Sequence, residues 1–246
     1  MTAPTLLELK GLSVRTHRRV LVEGVDLTVH GGQVTALVGP SGAGKSLTAR
    51  CAMGLVDVVP GLFGGELRYP GTGDARDWYK PHVQGGASAM RRLARETAVL
   101  RGSYFTYSPQ VAASALNPGR TIGRQMALAM ARRSEPPADL GAEIAELLDE
   151  VGLEPRTAAS LPGELSGGQC QRAALAIAIA PKPRVVVADE PETGLDPVLR
   201  RGIIELLVSV GKNHGCGLLL ISHHEDTVDR IADVVVRIAP HQEVMA

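Results

Sequence analysis

The sequence lacks net charge and paired cysteines, and each absence argues against a class of protein. Its 246 residues carry 26 basic and 26 acidic side chains, so no overall positive field attracts nucleic acid or anionic lipid. The cysteines, Cys51, Cys170 and Cys216, form no CxxC pair. This pattern fits neither a disulfide framework nor a zinc site, and it favours a reducing compartment. We expect each cysteine to be a small buried hydrophobe.

Long apolar runs are also missing from the sequence. The stretch AALAIAIA at 173–180 stops at Pro181, well short of the ~18 residues that a membrane-spanning helix requires. The first residues lack the cationic start and apolar block of a signal peptide. We therefore expect a soluble chain whose role at a membrane, if it has one, comes through a partner.

Short apolar strands alternate with glycine-rich turns and helical segments, which is typical of an α/β domain. Helical periodicity in 111–162, on both sides of SEPP at 134–137, predicts an inserted helical subdomain. We expect one domain over 1–246, with the sheet core at 1–110 and 163–246. Strands are predicted at 6–14, 25–29, 34–39, 65–69, 103–110, 184–190, 217–222 and 234–238, and core helices at 45–55, 89–100, 198–212 and 225–232.

The segment GPSGAGKS at 39–46 matches the phosphate-binding loop pattern G-x-x-x-x-G-K-[ST] in full. Its glycines let the backbone curl, so that N–H groups and the following helix N-terminus point at phosphate oxygens. Lys45 can reach the β- and γ-phosphates, and the Ser46 hydroxyl can ligate Mg²⁺. The flanking strand and helix make an ordinary glycine turn the poorer interpretation. The predicted nucleotide-binding residues are Gly39, Pro40, Ser41, Gly42, Ala43, Gly44, Lys45, Ser46 and Leu47.

The segment VVVADE at 185–190 supplies the second half of such a site. The nearly all-apolar strand at 184–190 indicates burial on both faces, as in parallel sheets. Asp189 then lies at its carboxyl end, beside the phosphate loop, and supports Mg²⁺. Glu190 is positioned to polarise a water for attack on the γ-phosphate. An acidic pair after a strand is equally well a helix cap or a solvated turn, but the loop at 39–46 favours the functional interpretation.

A second glycine-rich segment, SGGQ at 166–169, precedes a long apolar helix. Alone it fits a helix N-cap with flexible glycines. One nucleotide has one triphosphate, however, and the loop at 39–46 already surrounds it. A second helix N-terminus suited to bind phosphate most simply serves a nucleotide that is held by another copy of the chain or by another subunit. The predicted residues of this second site are Ser166, Gly167, Gly168 and Gln169.

The segment LSGGQ at 165–169, between the phosphate loop and VVVADEP, resembles the signature motif of ATP-binding cassette (ABC) ATPases. The resemblance covers nearly the whole chain: Gln110 fits the glutamine loop, TGLD at 193–196 a further loop, and His223 the switch histidine. It implies ATP and Mg²⁺ as cofactors. The implied fold is a phosphate-loop NTPase core, a mixed sheet flanked by helices, with an N-terminal antiparallel β subdomain and an inserted helical subdomain.

The resemblance also implies a head-to-tail dimer with a second ABC subunit, identical or related. Two ATP molecules would lie between the phosphate loop of one subunit and the signature of the other. Gln110 would sense Mg²⁺ and the attacking water, His223 would contact the γ-phosphate, and Asp196 would communicate across the dimer. The implied catalytic residues are Glu190, His223 and Gln110, and the implied metal ligands are Ser46, Gln110 and Asp189.

The segment SALNPGRTIGRQM resembles importers of dipeptides, oligopeptides, nickel and metal chelates, in which ALNP lies on the surface that meets the membrane subunits. It implies an ATP-hydrolysing subunit at the cytoplasmic face of the membrane, two permease subunits, a solute-binding protein and no nucleic acid. The alternative is a soluble ABC ATPase of DNA repair or translation, which usually has two cassettes or a coiled-coil insertion. An unrelated phosphate-loop kinase or GTPase leaves 165–169 and His223 without a role.

The sequence departs from the family pattern at two sites. Residues 6–30 contain no aromatic side chain to stack on adenine; Thr16 stands at the expected place and His17 beside it. His17 could stack on the base or belong to a solvated turn. Glu192 replaces the small polar residue that commonly follows the DEP proline, which places an extra acid near the dimer seam.

Overall fold

The computed structural model describes residues 3–108, 110, 112–193 and 197–239. Asp196 lies outside these residues, so its role across a dimer stays a prediction. The described residues form an antiparallel sheet of order β2-β1-β4 and a parallel sheet of order β5-β6-β7-β3-β8. The strands are β1 Thr5–Thr16, β2 Val20–His30, β3 Val34–Val38, β4 Pro60–Arg68, β5 Phe105–Ser108, β6 Val185–Asp189, β7 Gly217–Ile221 and β8 Val234–Arg237.

Helices cover both faces of the parallel sheet, and the described part of the chain contains none with the length and apolar character to cross a membrane. Polar side chains start several of them: Thr121 accepts a hydrogen bond from the Arg124 N–H and Asp139 one from the Ala142 N–H. The α-helices are α1 Lys45–Ala52, α2 Gly86–Glu96, α3 Ala112–Ala115, α4 Ile122–Met130, α5 Leu140–Glu150, α6 Gly167–Ile179, α7 Pro197–Asn213 and α8 Glu225–Ile231.

Strand β6 is buried at every position because the sheet has an apolar core on each face. Val185 and Val187 belong to the core shared with the antiparallel sheet and α1. Val186 and Ala188 point the other way, into the core formed with α4, α5, α6 and α7. This confirms the prediction of a strand with apolar side chains on both faces.

An aromatic cluster joins the two sheets. The Phe105 ring on β5 meets the rings of Tyr69 and Tyr104 edge-on, each at a centroid distance of 4.8 Å. The Tyr104 hydroxyl donates to the main-chain oxygen of Leu6 on β1 at 2.6 Å. Only 3% of the residues are aromatic, so this contact between sheets uses several of the few that the chain has.

The predicted helical subdomain corresponds to α3, α4 and α5. Its side chains do not form a separate core: Met126 of α4 and Leu148 of α5 share one buried cluster with Ala173 of α6 and with the parallel sheet. The helices therefore pack against the strands that carry the site. The subdomain boundaries at 111 and 162 stay a prediction.

Strand β4 is longer than the predicted 65–69 because two glycines let it bend. Gly61 has a φ of 96° and Gly65 a φ of 119°, conformations that side chains rarely adopt. A Cβ on Gly65 would also lie 2.9 Å from the Lys10 main-chain oxygen of the neighbouring strand. The glycines that suggested a loop are thus irregularities within a paired strand.

Candidate functional site

The carboxyl ends of the parallel strands bring the predicted active-site residues together at one edge of the sheet. The loop 39–46 follows β3, and Asp189 is the last residue of β6, with Glu190 directly after it. His223 follows β7, and Gln110 follows β5. The loop, Gln110, Asp189 and Glu190 border a cavity of about 390 Å³, which His223 does not line. Its lining consists of Leu21, Ser41, Gly42, Gly44, Lys45, Ser46, Leu47, Gln110, Asp189 and Glu190.

The loop 39–46 needs glycine where its backbone turns most sharply. Gly44 has a φ of 94°, and a Cβ there would lie 2.8 Å from the Leu21 main-chain oxygen. A Cβ on Gly39 would overlap the main-chain oxygen of Ile238. Helix α1 begins directly after Gly44 with no side-chain cap and no acidic residue in its first turn. Its first N–H groups therefore remain suited to an anion.

Lys45 is held inside the loop although its side chain is long and charged. Its Nζ donates to the main-chain oxygens of Gly39 at 2.8 Å and Pro40 at 3.0 Å, and the residue is only 7% exposed. An ammonium group has three N–H donors. The loop thus holds a buried cation whose charge faces the cavity.

Ser46 and Asp189 place two kinds of oxygen ligand side by side. The Ser46 hydroxyl donates to Asp189 Oδ1 at 3.0 Å, and the Tyr107 hydroxyl donates to Asp189 Oδ2 at 2.7 Å. Burial, together with this hydrogen bond, raises the pKa of Tyr107 well above its ordinary value, so Tyr107 remains a donor at neutral pH. A hydroxyl and a carboxylate are ligands that suit Mg²⁺ beside phosphates, so this pair fits the ion.

The Glu190 carboxylate is the meeting point of three loops. Its Oε2 accepts hydrogen bonds from Gln110 Nε2 at 3.1 Å and Thr193 Oγ1 at 3.2 Å, and it lies 3.4 Å from His223 Nδ1. Glu190 also has a φ of 46°, a conformation that costs a residue with a side chain of order 1 kcal/mol. This strained turn aims the carboxylate at the cavity.

Two adjacent histidines follow β7. The His223 ring is 45% exposed and packs against the His224 ring at a centroid distance of 4.1 Å. Burial and the neighbouring His223 lower the pKa of His224, which favours its neutral form. His223 is thus the one of the two that faces solvent beside Glu190.

The glycine pair of SGGQ begins helix α6, away from the cavity. The Ser166 Oγ accepts from the Gln169 N–H at 3.3 Å, while the Gln169 Oε1 accepts from the Ser166 N–H at 2.9 Å. This is a capping box. Ser166, Gly167 and Gln169 are exposed, Gly168 is half-buried, and none of these residues lines the cavity around Lys45. Within one chain, the structure therefore does not bring the loop 39–46 and the segment 166–169 together.

The family profile described as ABC transporter matches residues 22–193, which include the phosphate loop, the glutamine loop, the signature and the DE pair. The chain belongs to the ABC transporter family. It is therefore an ABC ATPase, the part of a transporter that binds and hydrolyses ATP.

Relatives of this ABC ATPase include import proteins. A nickel import ATP-binding protein of Pseudomonas putida is 34% identical over 235 residues, covering 95% of this chain and 84% of the relative. A methionine import ATP-binding protein of Thermobifida fusca is 34% identical over 228 residues, covering 93% of this chain. The chain spans 62% of that relative's length.

The fold agrees with that of solved ABC ATPases. The structure of cbiO1 from Clostridium perfringens, described as part of the ABC transporter complex cbiONQ, has a TM-score of 0.73 and 23% identity. The match covers 95% of this chain and 86% of that one. It confirms the predicted architecture of a β subdomain, a phosphate-loop core and helices.

The structure gives Glu192 a role inside this ABC ATPase. Its side chain is fully buried, and Ser222 Oγ donates to its Oε1 at 2.5 Å. The same Ser222 oxygen accepts the His224 N–H at 3.1 Å. Glu192 therefore fixes the turn that carries the two histidines. Sequence motifs could not reveal this contact, because the two residues are 30 positions apart.

The predicted position for adenine lies in a turn that contains no aromatic residue, and the nearby Phe63 ring on β4 is stacked on the Arg15 guanidinium at 3.5 Å. The Thr16 hydroxyl accepts the N–H groups of Arg18 and Arg19, which makes this segment a tight turn. His17 is exposed in the same turn and does not line the cavity, whereas Leu21 does. A contact between His17 and the base stays a prediction.

Cys170 packs at the start of α6. Its thiol is within 3.4 Å of the Pro162 main-chain oxygen, and burial raises its pKa. A thiol in this state is a poor nucleophile. The cysteine after the signature is therefore explained by packing, and all three cysteines are buried as predicted.

Replacing Ser222 should destabilise the turn that carries the histidines. Ser222→Ala removes the donor to buried Glu192 and the acceptor for the His224 N–H, and unsatisfied buried groups cost about 1–3 kcal/mol. We expect a fall of that size in the free energy of unfolding, measured by urea denaturation. Ser222→Thr keeps the hydroxyl and serves as the control. An alanine variant as stable as the wild type would show that this contact contributes nothing.

Proposed function

We propose that the chain hydrolyses ATP to drive an importer, with the cavity around Lys45 holding the triphosphate. The observation that carries the proposal is the convergence of Lys45, Ser46, Asp189 and Glu190 at one edge of the sheet. A cation, a hydroxyl and two carboxylates there match what phosphoryl transfer to water requires. The work of such a site is positioning and electrostatic stabilisation.

Each polar group has a distinct task in this proposal. The loop N–H groups and Lys45 hold the β- and γ-phosphates. Ser46 and Asp189 hold Mg²⁺, which when bound neutralises charge on the phosphate oxygens. Glu190 accepts the proton of the attacking water, Gln110 orients that water, and His223 contacts the γ-phosphate.

The signature segment completes the site of a second chain in this proposal. Ser166 uses only an oxygen lone pair in its capping box, so its O–H remains a donor. The N–H groups of Gly167 and Gly168 lie in the first turn of a helix of 13 residues, and a helix N-terminus favours negative charge. A γ-phosphate held by a partner's loop is a suitable ligand for them.

We assign the permease contact to an apolar groove of about 660 Å³ between the sheet and the helical region. Leu128 and Tyr107, 40% and 39% exposed, are large side chains open to solvent there. The segment ALNP, which resembles the membrane-facing surface of importers, precedes α4, the helix that carries Leu128. Its arginines suit an amphipathic permease segment that carries a carboxylate. The groove is defined by Met53, Tyr107, Leu128 and Ile177 with Arg50, Arg101 and Arg132.

The proposed cargo is nickel or a metal chelate, and a peptide is the next candidate in the same group. The nickel import relative and the resemblance of residues 114–126 support this choice. The methionine import relative, at the same identity, makes methionine the competing cargo. The proposed system contains two permease subunits and a solute-binding protein, and the chain acts at the cytoplasmic face of the membrane.

Uptake should distinguish these cargoes. We expect cells that lose this chain to accumulate less ⁶³Ni²⁺, supplied free or as a histidine chelate, with unchanged uptake of labelled methionine. Reintroducing the wild-type chain should restore nickel uptake, whereas the Lys45→Ala variant should not. A defect confined to methionine would transfer the assignment to methionine import.

Glu190→Gln should separate ATP binding from hydrolysis. The amide keeps the size of the side chain but cannot accept the proton, and a general base contributes roughly 10²–10⁴-fold. We expect kcat to fall by that factor while ATP affinity stays within about twofold, as measured by phosphate release and by titration with a fluorescent nucleotide. Near-normal hydrolysis would remove Glu190 as the base.

Ser166→Arg tests whether the signature acts on another chain. The large cation at the start of α6 should block hydrolysis but leave the variant's own ATP binding unchanged, because Ser166 lies outside the cavity around Lys45. The measurements are phosphate release and nucleotide titration. Loss of ATP binding in the isolated variant would contradict action in trans.

A mixing experiment provides the matched control. Ser166→Arg and Lys45→Ala chains are each expected to be inactive alone. A mixed pair combines the intact phosphate loop of the first with the intact signature of the second, so partial ATPase activity should return. If no activity returns although the wild type hydrolyses ATP by itself, the head-to-tail arrangement is wrong.

A further inference from the structure

We propose that Tyr107 is a positioning residue that connects the apolar groove to the Asp189 carboxylate. The inference rests on the proposed function, since it concerns how a partner in the groove affects the ATP site. Tyr107 precedes Gln110 of the glutamine loop by three positions, and no role was predicted for it. Its ring lines the groove, whereas its hydroxyl contacts the Asp189 carboxylate, and the inference rests on this placement.

The ring of Tyr107 forms part of the groove wall. It lies on β5, the edge strand of the parallel sheet, and is 39% exposed together with Leu128 on α4. A partner segment that fills the groove therefore contacts the ring directly. Aromatic rings supply large contact areas at such positions.

The hydroxyl of Tyr107 ends on the metal-binding side. It donates to Asp189 Oδ2 at 2.7 Å, while Ser46 donates to Oδ1 at 3.0 Å. The carboxylate is therefore held at both oxygens, by one group from the end of β5 and one from the start of α1. A hydrogen-bonded neighbour of this kind sets the orientation of a ligating carboxylate, and its loss typically costs 10–100-fold in metal affinity.

A small displacement of the ring is enough to change the site. O–H···O hydrogen bonds are effective between about 2.5 and 3.0 Å and weaken beyond that range. A groove occupant that shifts the ring by some tenths of an ångström therefore alters how firmly Asp189 is held. Because coupling between two sites is reciprocal, Mg²⁺ and nucleotide must affect binding in the groove by the same factor.

The first test is Tyr107→Phe, which keeps the ring and removes the hydroxyl. The readout is the Mg²⁺ concentration that gives half-maximal binding of a fluorescent ATP analogue, with no turnover involved. We expect this concentration to rise on the order of 10-fold. Tyr79→Phe is the matched control, because its buried hydroxyl donates to the Cys51 main-chain oxygen, away from the site.

The second test places a probe in the groove. Leu128→Cys offers an accessible thiol for pyrene maleimide, whereas Cys51, Cys170 and Cys216 are all buried. Burial also raises the pKa of Cys51 to about 12 and that of Cys216 to about 11, so labelling favours position 128. The half-saturating Mg²⁺ concentration is then compared with and without the label, in the Tyr107 chain and in the Tyr107→Phe chain.

The proposal expects the label to change this concentration at least threefold when Tyr107 is present and to have no effect after Tyr107→Phe. An equal effect in both chains, or none in either, overturns it. So does a Tyr107→Phe variant whose Mg²⁺ dependence equals that of the wild type. If the wild-type chain fails to bind the ATP analogue with Mg²⁺ at all, the proposed function fails, which distinguishes the two failures.

Discussion

The placement of the polar groups depends on burying β6 on both faces. Its side chains alternate between two apolar cores, so a charged residue within Val185–Ala188 would be left without water or a partner. Charge becomes possible only where the strand leaves the cores, at Asp189 and Glu190. The same constraint acts on β7, which is buried from Gly217 to Ile221 and is followed by Ser222 and the histidines. Hydrophobic packing thereby gathers the polar groups at one edge.

Glu190 shows how several loops share one geometry. Its Oε2 takes contacts from Gln110, Thr193 and His223, which come from different segments of the chain. The strained backbone at Glu190 persists because these neighbours and the strand before it over-determine its position. Movement of any one of these loops changes the surroundings of the carboxylate proposed to activate water.

Much of this arrangement was predictable because the motifs are local. The loop 39–46, the DE pair and the strand–helix alternation each need only a few consecutive residues. The structure confirms the fold and has a strand at each predicted position, although β2, Val20–His30, is longer than the predicted 25–29. Tyr107 and the Glu192–Ser222 contact were not predictable in this way. They depend on parallel strand register, which places residues 82 and 30 positions apart in contact. The length of strand β4 was underestimated because glycines such as Gly61 and Gly65 occur in loops as well as at bends within strands.

The capping box at Ser166 has a consequence for assembly under the proposed arrangement. Both halves of the composite site are already folded in the single chain: the phosphate loop around Lys45, and the helix start with its side chains bonded to each other. Joining two chains then needs no folding transition, only rigid docking onto a nucleotide. Each chain then contributes one preformed half of the composite site. The lifetime of the triphosphate between the two halves determines how long the chains stay together.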